Sequence, residues 1–401
     1  MPVPQGESPN RLIAQCRATQ ARMWGNDVRV GVDVCAFADL GAGVARYLRE
    51  MLVEMMAVSP NDEFVLYSPA PIKVPLPAGR WRVHIPSRRR SLFPGHWLRD
   101  TVPRAIADDG VDVFWGQNAM MPLRLRRPCR RVLTVHDVTG FVCPSTMRPR
   151  HRLSWMFNFH AAVRAADAVV ADSQATAQLV HRLVGTPTDR VSVVYFGRSL
   201  GLEPVERVRA HREVAEFFGL PDEFMLTVGT LEPRKDHATL LQVVRCEVSL
   251  PLLVIAGAIG WNSRAILKLV RTAESEGRAR YVGRVGDREL ARLYSAARLT
   301  VYPSLYEGFG LPVLEAMACG CPVLCSWSSS LPEVGGRAAR YFRPRATGDL
   351  SRQLANVLGD RALLNEMRAL GLEQSARFSL RRAAEMLTDV LHGASPKREA
   401  D

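Results

Sequence analysis

"LTVYPSLYEGFGLPVLEAMACGCPVLCS", residues 299–326, reads as strand, loop, helix and strand. LTVYPS is β-branched and apolar, and Pro303 and Ser304 close that strand. Gly308 and Gly310 allow a tight turn with backbone amides uncovered. Pro312 fits the first turn of a helix, Gly320 stops it, and PVLCS follows as another strand. A helix start at Gly310-Leu311 offers free N–H groups and the positive end of a dipole, a setting that favours phosphate. Glu307 lies on the loop before this helix and Glu315 within its first turn or so, a placement that lets both face one cleft. Taken singly, a Gly-x-Gly before a helix is a common turn. The carboxylates also fit a solvated loop residue and a glutamate near a helix N-terminus.

The same alternation extends in both directions. Strand-like runs occur at 28–34, 64–68, 111–115, 131–137, 167–173 and 190–195, mostly separated by helical stretches such as 151–166. A polar, charged segment, 197–222, suits an interdomain connection. The pattern then restarts at 224–229, 251–257, 279–283, 299–304 and 322–326. Strands alternating with helices predict parallel sheets covered on both faces, here as two consecutive α/β domains with a cleft between them. Ligands of such sheets bind beyond the carboxyl ends of the strands.

A chain of 401 residues has room for two such domains, and its 47% hydrophobic and 23% charged residues are globular values. No apolar run approaches the roughly 20 residues that span a bilayer. Residues 1–26 lack the basic-then-apolar pattern of a secretory signal and read as a poorly ordered leader, which predicts a cytoplasmic location. Cys319, Cys321 and Cys325 lie within an apolar helix end and strand, with no second pair to complete a zinc site, and read as small buried thiols. The net charge is +13, and only four of the 53 basic residues are lysine. That arginine excess fits either a codon habit of a GC-rich genome or partners that carry phosphate, including an anionic membrane surface.

GTLEPRKDH, residues 229–237, follows the first strand of the second domain and opens a helix. Arg234 offers a planar fork for phosphate oxygens and Lys235 a point charge. Two cations at a helix start oppose the dipole, and an anion bound between them removes the conflict.

These segments, with "YVGRVGDRELARLYSAARLTVYPSLYEGFGLPVLEAMACGCPVLCS" and "SSLPEVGGRAARYF", closely resemble the C-terminal domain of glycosyltransferase family 4. The resemblance runs from about residue 28 to 390 and implies the GT-B fold, two Rossmann-like α/β domains facing each other across a cleft. It implies an acceptor-side domain at 27–198 and a nucleotide-sugar domain at 199–378. It also implies that from residue 379 a C-terminal helix packs back toward the first domain, followed by a tail to 401. "GAGVARYLREML" resembles the family's glycine-rich turn, with Gly43, Arg46 and Tyr47 in place and Ala45 where the second glycine stands. "LTVHDV" puts His136 and Asp137 where related enzymes keep a histidine that contacts the donor sugar.

The resemblance implies a retaining, nucleotide-sugar-dependent glycosyltransferase. His136, Asp137 and Glu307 would act at the reacting sugar, with Glu307 holding its hydroxyls. Glu315 would bind the nucleotide ribose. Arg234, Lys235 and the amides of Gly308, Phe309, Gly310 and Leu311 would hold the diphosphate, with Gly43, Gly229, Thr230 and Val285 also lining the donor site. No metal or other cofactor is implied. The "GTLEPRK" wording resembles bacterial mannosyltransferases of O-antigen and exopolysaccharide assembly, which points to GDP-mannose, with a UDP-sugar as the competitor. The acceptor class implied is a glycan or a lipid-diphosphate-linked glycan.

Two other readings fall away. The motifs of nucleotide-sugar epimerases, which also use two α/β domains, are not seen. A nucleic-acid partner would need arginines interleaved with stacking aromatics, and aromatics are only 7%. The arginines cluster instead at 88–90, 124–131 and 148–152. Arg88-Arg89-Arg90 precede Leu92, Phe93, Trp97 and Leu98, a pattern that suits a lipid interface or, alternatively, a basic loop whose aromatics pack inward.

Overall fold

Four of the five residues of β1 (Arg29–Asp33) are buried, as a strand covered on both faces requires. The computed structural model describes residues 28–38, 43–74, 76, 79–85, 97–118, 120–126, 128–146 and 149–394. β1 is joined by β2 (Glu63–Tyr67), β3 (Trp81–His84), β4 (Val113–Gln117), β5 (Arg130–Val135), β6 (Ala168–Ala171) and β7 (Val191–Val193). These form one parallel sheet in the order β3-β2-β1-β4-β5-β6-β7. A second parallel sheet holds β8 (Phe224–Val228), β9 (Leu252–Ala256), β10 (Ala279–Gly283), β11 (Leu299–Tyr302), β12 (Val323–Ser326) and β13 (Ala339–Phe342). Its order is β10-β9-β8-β11-β12-β13. The two sheets are the paired α/β domains that the alternation predicts. Each reverses direction once, between β1 and β4 and between β8 and β11, and such switch points open ligand crevices.

Nine helices enter the discussion below: α1 (Gly43–Val58), α2 (Pro149–Ala165), α3 (Gln174–Val184), α4 (Arg207–Phe218), α5 (His237–Cys246), α6 (Asp287–Ala296), α7 (Leu311–Ala318), α8 (Leu331–Gly335) and α9 (Leu380–Leu391). α9 follows the second sheet in sequence but packs on α1 and β5 of the first domain. Leu380, Ala384, Leu387 and Leu391 are buried along it at helical spacing, which gives it an apolar stripe to bury there.

Three local expectations change. The segment 197–222 is no plain connection: it contains α4, capped by Glu206 through the N–H groups of Val208 and Arg209 and packed on α6. Ala210 and Val214 are its buried residues and Glu213 pairs with Arg292 of α6, while most of the helix faces water, which is why its composition looks like a linker. β3 and β13 have no counterpart among the expected strands. Both are edge strands with partly exposed residues, so neither shows a continuous apolar run. Trp97 and Leu98 are buried in the first domain's core, as an inward-packing segment would place them. Arg88, Arg89, Arg90, Leu92 and Phe93 lie outside the described residues. Cys319, Cys321 and Cys325 are buried free thiols, and burial pushes Cys321 up to about 11.

Candidate active site

The carboxyl ends of β8 and β11 meet at the second sheet's switch point, and the two sequence motifs converge there. After β8 the chain turns through Pro233–Lys235, and Asp236 in the left-handed region (φ 49°) leads into α5. This turn aims Arg234 and Lys235 at the loop after β11. The Arg234 guanidinium pairs with Glu307 Oε2 at 2.8 Å and Glu232 Oε1 at 2.7 Å, and donates to the Tyr306 carbonyl at 2.7 Å. The Lys235 ammonium donates to Glu307 Oε1 at 2.7 Å and to Tyr302 Oη at 2.6 Å.

Glu307 is therefore neither solvated nor isolated. The Tyr302 and Ser304 hydroxyls also donate to its Oε1, at 2.9 and 2.5 Å, and it is 7% exposed. Burial alone would raise its carboxyl, but Arg234 and Lys235 outweigh that and hold it at about 2. A carboxylate has about four lone-pair directions. Three donors sit on Oε1 and Arg234 on Oε2, so Oε2 keeps capacity for one more hydroxyl. The loop itself is held by serines: Ser329 Oγ accepts the Glu307 N–H at 2.8 Å, and Ser330 Oγ donates to the carbonyls of Glu307 and Phe309.

Gly310 caps α7 with φ +107°, a conformation that strains any residue with a Cβ. Glu315 is the fifth residue of α7, just past its first turn. Its Oε1 receives the Arg46 guanidinium at 2.6 Å and its Oε2 the Tyr294 hydroxyl at 3.3 Å. Arg46 comes from α1 of the first domain and also pairs with Asp287 at the start of α6, so it bridges the cleft. Burial raises the Glu315 carboxyl, and Arg46 opposes that. One turn along α1 lies Glu50, 1% exposed, whose carboxyl burial pushes up to about 7 against the pull of Arg46 and Arg49.

Across the cleft, His136 directly follows β5. Its Nδ1 meets Asp172 Oδ2 at 2.7 Å and its Nε2 meets Gln117 Oε1 at 3.0 Å, so both ring nitrogens are engaged inside the first domain. The Gln117 amide nitrogen is buried without a hydrogen-bond partner. Turning that amide over puts a donor on Nε2 and fixes the tautomer with the proton on Nδ1. Asp137 accepts the Thr139 N–H at 2.9 Å. The two halves touch at Gly308: a Cβ there would stand 1.6 Å from the His136 carbonyl oxygen, so only glycine permits this approach. Tyr306 Oη accepts the Val138 N–H at 3.1 Å beside it.

Arg234, Lys235, Glu307 and Gly308 thus share one cluster, with Gly310 and Leu311 continuing it into α7. Glu315 sits with Arg46, three residues beyond Gly43 on α1. Val285 lies two residues before Asp287, and Gly229 and Thr230 lead from β8 to the Arg234 turn. Phe309 turns its ring away into an interdomain group with Tyr195 and Phe378, at centroid distances of 6.3 and 5.8 Å. Glu232, Tyr302, Ser304 and Ser329 escaped sequence reasoning, as did Asp172, Gln117, Asp287 and Glu50. Of these, all but Asp172 and Gln117 stood inside the quoted motifs and were open to notice.

Two parallel-sheet domains in contact, with a buried Arg-Lys-Glu cluster at the switch point of the second, fit a glycosyltransferase of the GT-B fold. Residues 42–200 match Glycosyltransferase Family 4, and residues 212–373 match Glycosyl transferases group 1. The O-antigen chain mannosyltransferase B of Escherichia coli is 34% identical over 283 residues, covering 69% of this chain and 72% of that protein. The chain belongs to glycosyltransferase family 4. Its fold is similar to that of a sucrose-phosphate synthase from Thermosynechococcus elongatus (TM-score 0.77, 21% identity, 90% of this chain and 98% of that one). It is also similar to Anabaena HepE in complex with UDP-glucose (TM-score 0.70, 15% identity, 91% of this chain and 99% of that one). At these identities the likeness extends to the fold alone.

Proposed function

We propose that this glycosyltransferase moves mannose from GDP-mannose, with retention of configuration, to a glycan or lipid-diphosphate-linked acceptor in cell-surface polysaccharide synthesis. The buried Arg234-Lys235-Glu307 cluster at the β8–β11 switch point carries the reading. The O-antigen relative supports mannose.

In this reading Arg234, Lys235 and the amides from Gly308 to Leu311 receive the donor diphosphate. The bond between the anomeric carbon and the phosphate oxygen breaks, and its electron pair stays with that oxygen. The acceptor hydroxyl oxygen bonds to the anomeric carbon on the same face, and its proton passes to the departing phosphate. Preorganised cations act where negative charge develops, which lowers the barrier directly. Glu307 orients both cations and offers Oε2 to a sugar hydroxyl. Glu315 takes the ribose hydroxyls, while Arg46 steadies its other oxygen. His136 reaches the sugar through Nε2 when the Gln117 amide turns aside. The charge supplied by Arg234, Lys235 and the α7 N-terminus stands in for a metal ion, so the reaction proceeds without one.

We infer a second contact, with an anionic leaflet at the cytoplasmic face of a membrane. Among the described residues no helix is long and apolar enough to cross a membrane. Leu153 and Phe157, one turn apart on α2, are 59% and 70% exposed. Such a ridge on a chain of charge +13 suits an interface.

A thermal-shift panel of GDP-mannose, UDP-glucose, UDP-galactose and ADP-glucose tests the donor. A ligand at a hundredfold excess over Kd stabilises by about 2.7 kcal/mol. The expected result is a rise in melting temperature with GDP-mannose alone. A rise with a UDP-sugar and none with GDP-mannose would replace the donor assignment.

A further inference from the structure

Glu333 lies on α8 of the second domain, yet its carboxylate bonds into the first. Its Oε2 accepts the Gln174 N–H and its Oε1 the Ala175 N–H, each at 2.8 Å, and the Tyr195 hydroxyl donates to Oε2 at 3.1 Å. Gln174 and Ala175 open α3, where the first N–H groups of a helix have no intrahelical acceptor. The helix already has a cap of its own, since Ser173 Oγ accepts the Thr176 N–H at 3.1 Å. Glu333 is an additional cap delivered from across the cleft. Its charge lies at the positive end of the α3 dipole, and it satisfies two donors that Ser173 leaves.

The end of α3 is joined to both halves of the reacting region. The Ser173 hydroxyl donates to the Gly308 carbonyl at 2.6 Å and the Thr176 hydroxyl to the same oxygen at 3.2 Å. One residue earlier, Asp172 takes His136 Nδ1 at 2.7 Å. Whatever seats the start of α3 therefore sets the donor loop against the histidine. Besides the Gly308 carbonyl itself, Glu333 is a second-domain group that does so, through two main-chain amides.

We propose that Glu333 is the clasp of the closed cleft: a positioning residue that holds α3 and thereby fixes Gly308 relative to His136 for sugar transfer. The clasp rests on the transferase activity and is independent of which sugar nucleotide is used. It acts through main-chain amides, so it is tested from both sides. Glu333→Gln keeps the shape and removes the charge and one of two acceptors. Gln174→Pro removes one of the two donors. Proline is well tolerated at the first helical position. Ser173, at φ −154° and ψ 162°, already has the extended backbone that a residue before proline needs.

Two measurements decide the matter. Hydrogen exchange of the amides at the start of α3 needs no substrate, and Glu333→Gln should speed it about tenfold. Steady-state kinetics with GDP-mannose, or with whichever sugar nucleotide raises the melting temperature, should show kcat lowered about tenfold in Glu333→Gln, with the donor KM within about twofold. Gln174→Pro should lower kcat by a smaller factor. The double variant should be no slower than Glu333→Gln alone by more than about twofold, since the two changes break a shared bond. Unchanged exchange in Glu333→Gln overturns the clasp whatever the donor proves to be. Faster exchange with unaltered kcat, or single effects that multiply in the double variant, also overturns it.

Discussion

Lys235 is a cation whose removal separates structure from chemistry. Lys235→Met keeps most of the side chain's volume and deletes the charge that meets Glu307 at 2.7 Å and Tyr302 at 2.6 Å. Glu307 retains Arg234 at 2.8 Å and the hydroxyls of Tyr302 and Ser304, so its charge is not stranded. Two hydrogen bonds from the ammonium are lost, but the cost of burying that charge goes with them, so the net loss is about 1.5–3 kcal/mol, below the ~3–5 kcal/mol of breaking a buried pair outright. For domains of this size the melting temperature at pH 7 should fall by about 3–12 °C.

Acid gives a second readout. Glu307 is held at about 2 against an ordinary 4.5, so its pairing stabilises the fold fully above pH 4.5 and is lost as the pH falls toward 2. At roughly 1.4 kcal/mol per pH unit that contribution is about 3 kcal/mol. With one of its two nearest cations gone, the variant should depend less on pH in that window, and the two stability curves should converge on acidification. The same variant should lose about ten- to a hundredfold in kcat/KM for GDP-mannose. Differential scanning fluorimetry from pH 7 to 3 and initial-rate kinetics measure both. An unchanged melting temperature with parallel curves refutes the ion pair. A kcat/KM within twofold of the parent refutes the diphosphate role.

Glu315→Gln should raise the donor KM about tenfold with kcat nearly unchanged, because ribose contacts are the same in ground and transition states; a fall in kcat alone contradicts this. Activity should persist in excess EDTA, and a complete loss restored by Mg²⁺ or Mn²⁺ would reverse the view of Arg234 and Lys235 as the charge source. Glu50, pushed up to about 7 by burial, favours the fold below pH 4.5 and loses that contribution as the pH rises through 7. Glu50→Gln should therefore stabilise the fold more at pH 8 than at pH 5, by up to about 3 kcal/mol from denaturant unfolding; an equal effect at both pH values goes against it. Anionic vesicles should sediment the protein at low salt, and Phe157→Ser should weaken this. A protein that stays in the supernatant refutes the membrane contact.

The sheets were legible because each central strand is an apolar run bounded by turn residues, and a run such as LTVYPS carries its own direction. The two motifs were legible because their residues are near neighbours in sequence: Arg234 beside Lys235, Glu307 at the turn and Glu315 on the helix it opens. What those residues touch was not. The partner of Glu315 is Arg46, 269 positions earlier, and the partner of His136 is Asp172, 36 positions later. Such pairs exist only once the sheets are assembled, and a lone arginine or aspartate gives no periodic signal. β3 and β13 were hidden for a related reason, since an edge strand needs few buried side chains. α4 was misread because a helix that buries two small residues has the composition of a loop.

The chain passes between the two halves twice, at residues 197–198 and again at 378–380, and the passages lie side by side. The Arg198 N–H donates to the Phe378 carbonyl at 3.0 Å, and a Cβ on Gly197 would stand 2.0 Å from the Leu380 nitrogen. Topologically, the half that carries the Arg-Lys-Glu cluster is an insert looped out of the other half, with its two ends fastened together. An exchange of this cassette between relatives is therefore a graft with two seams at one place. α9 must stay with α1 of the recipient, because a cut at the second passage that carries α9 away would strip the apolar cover from the host.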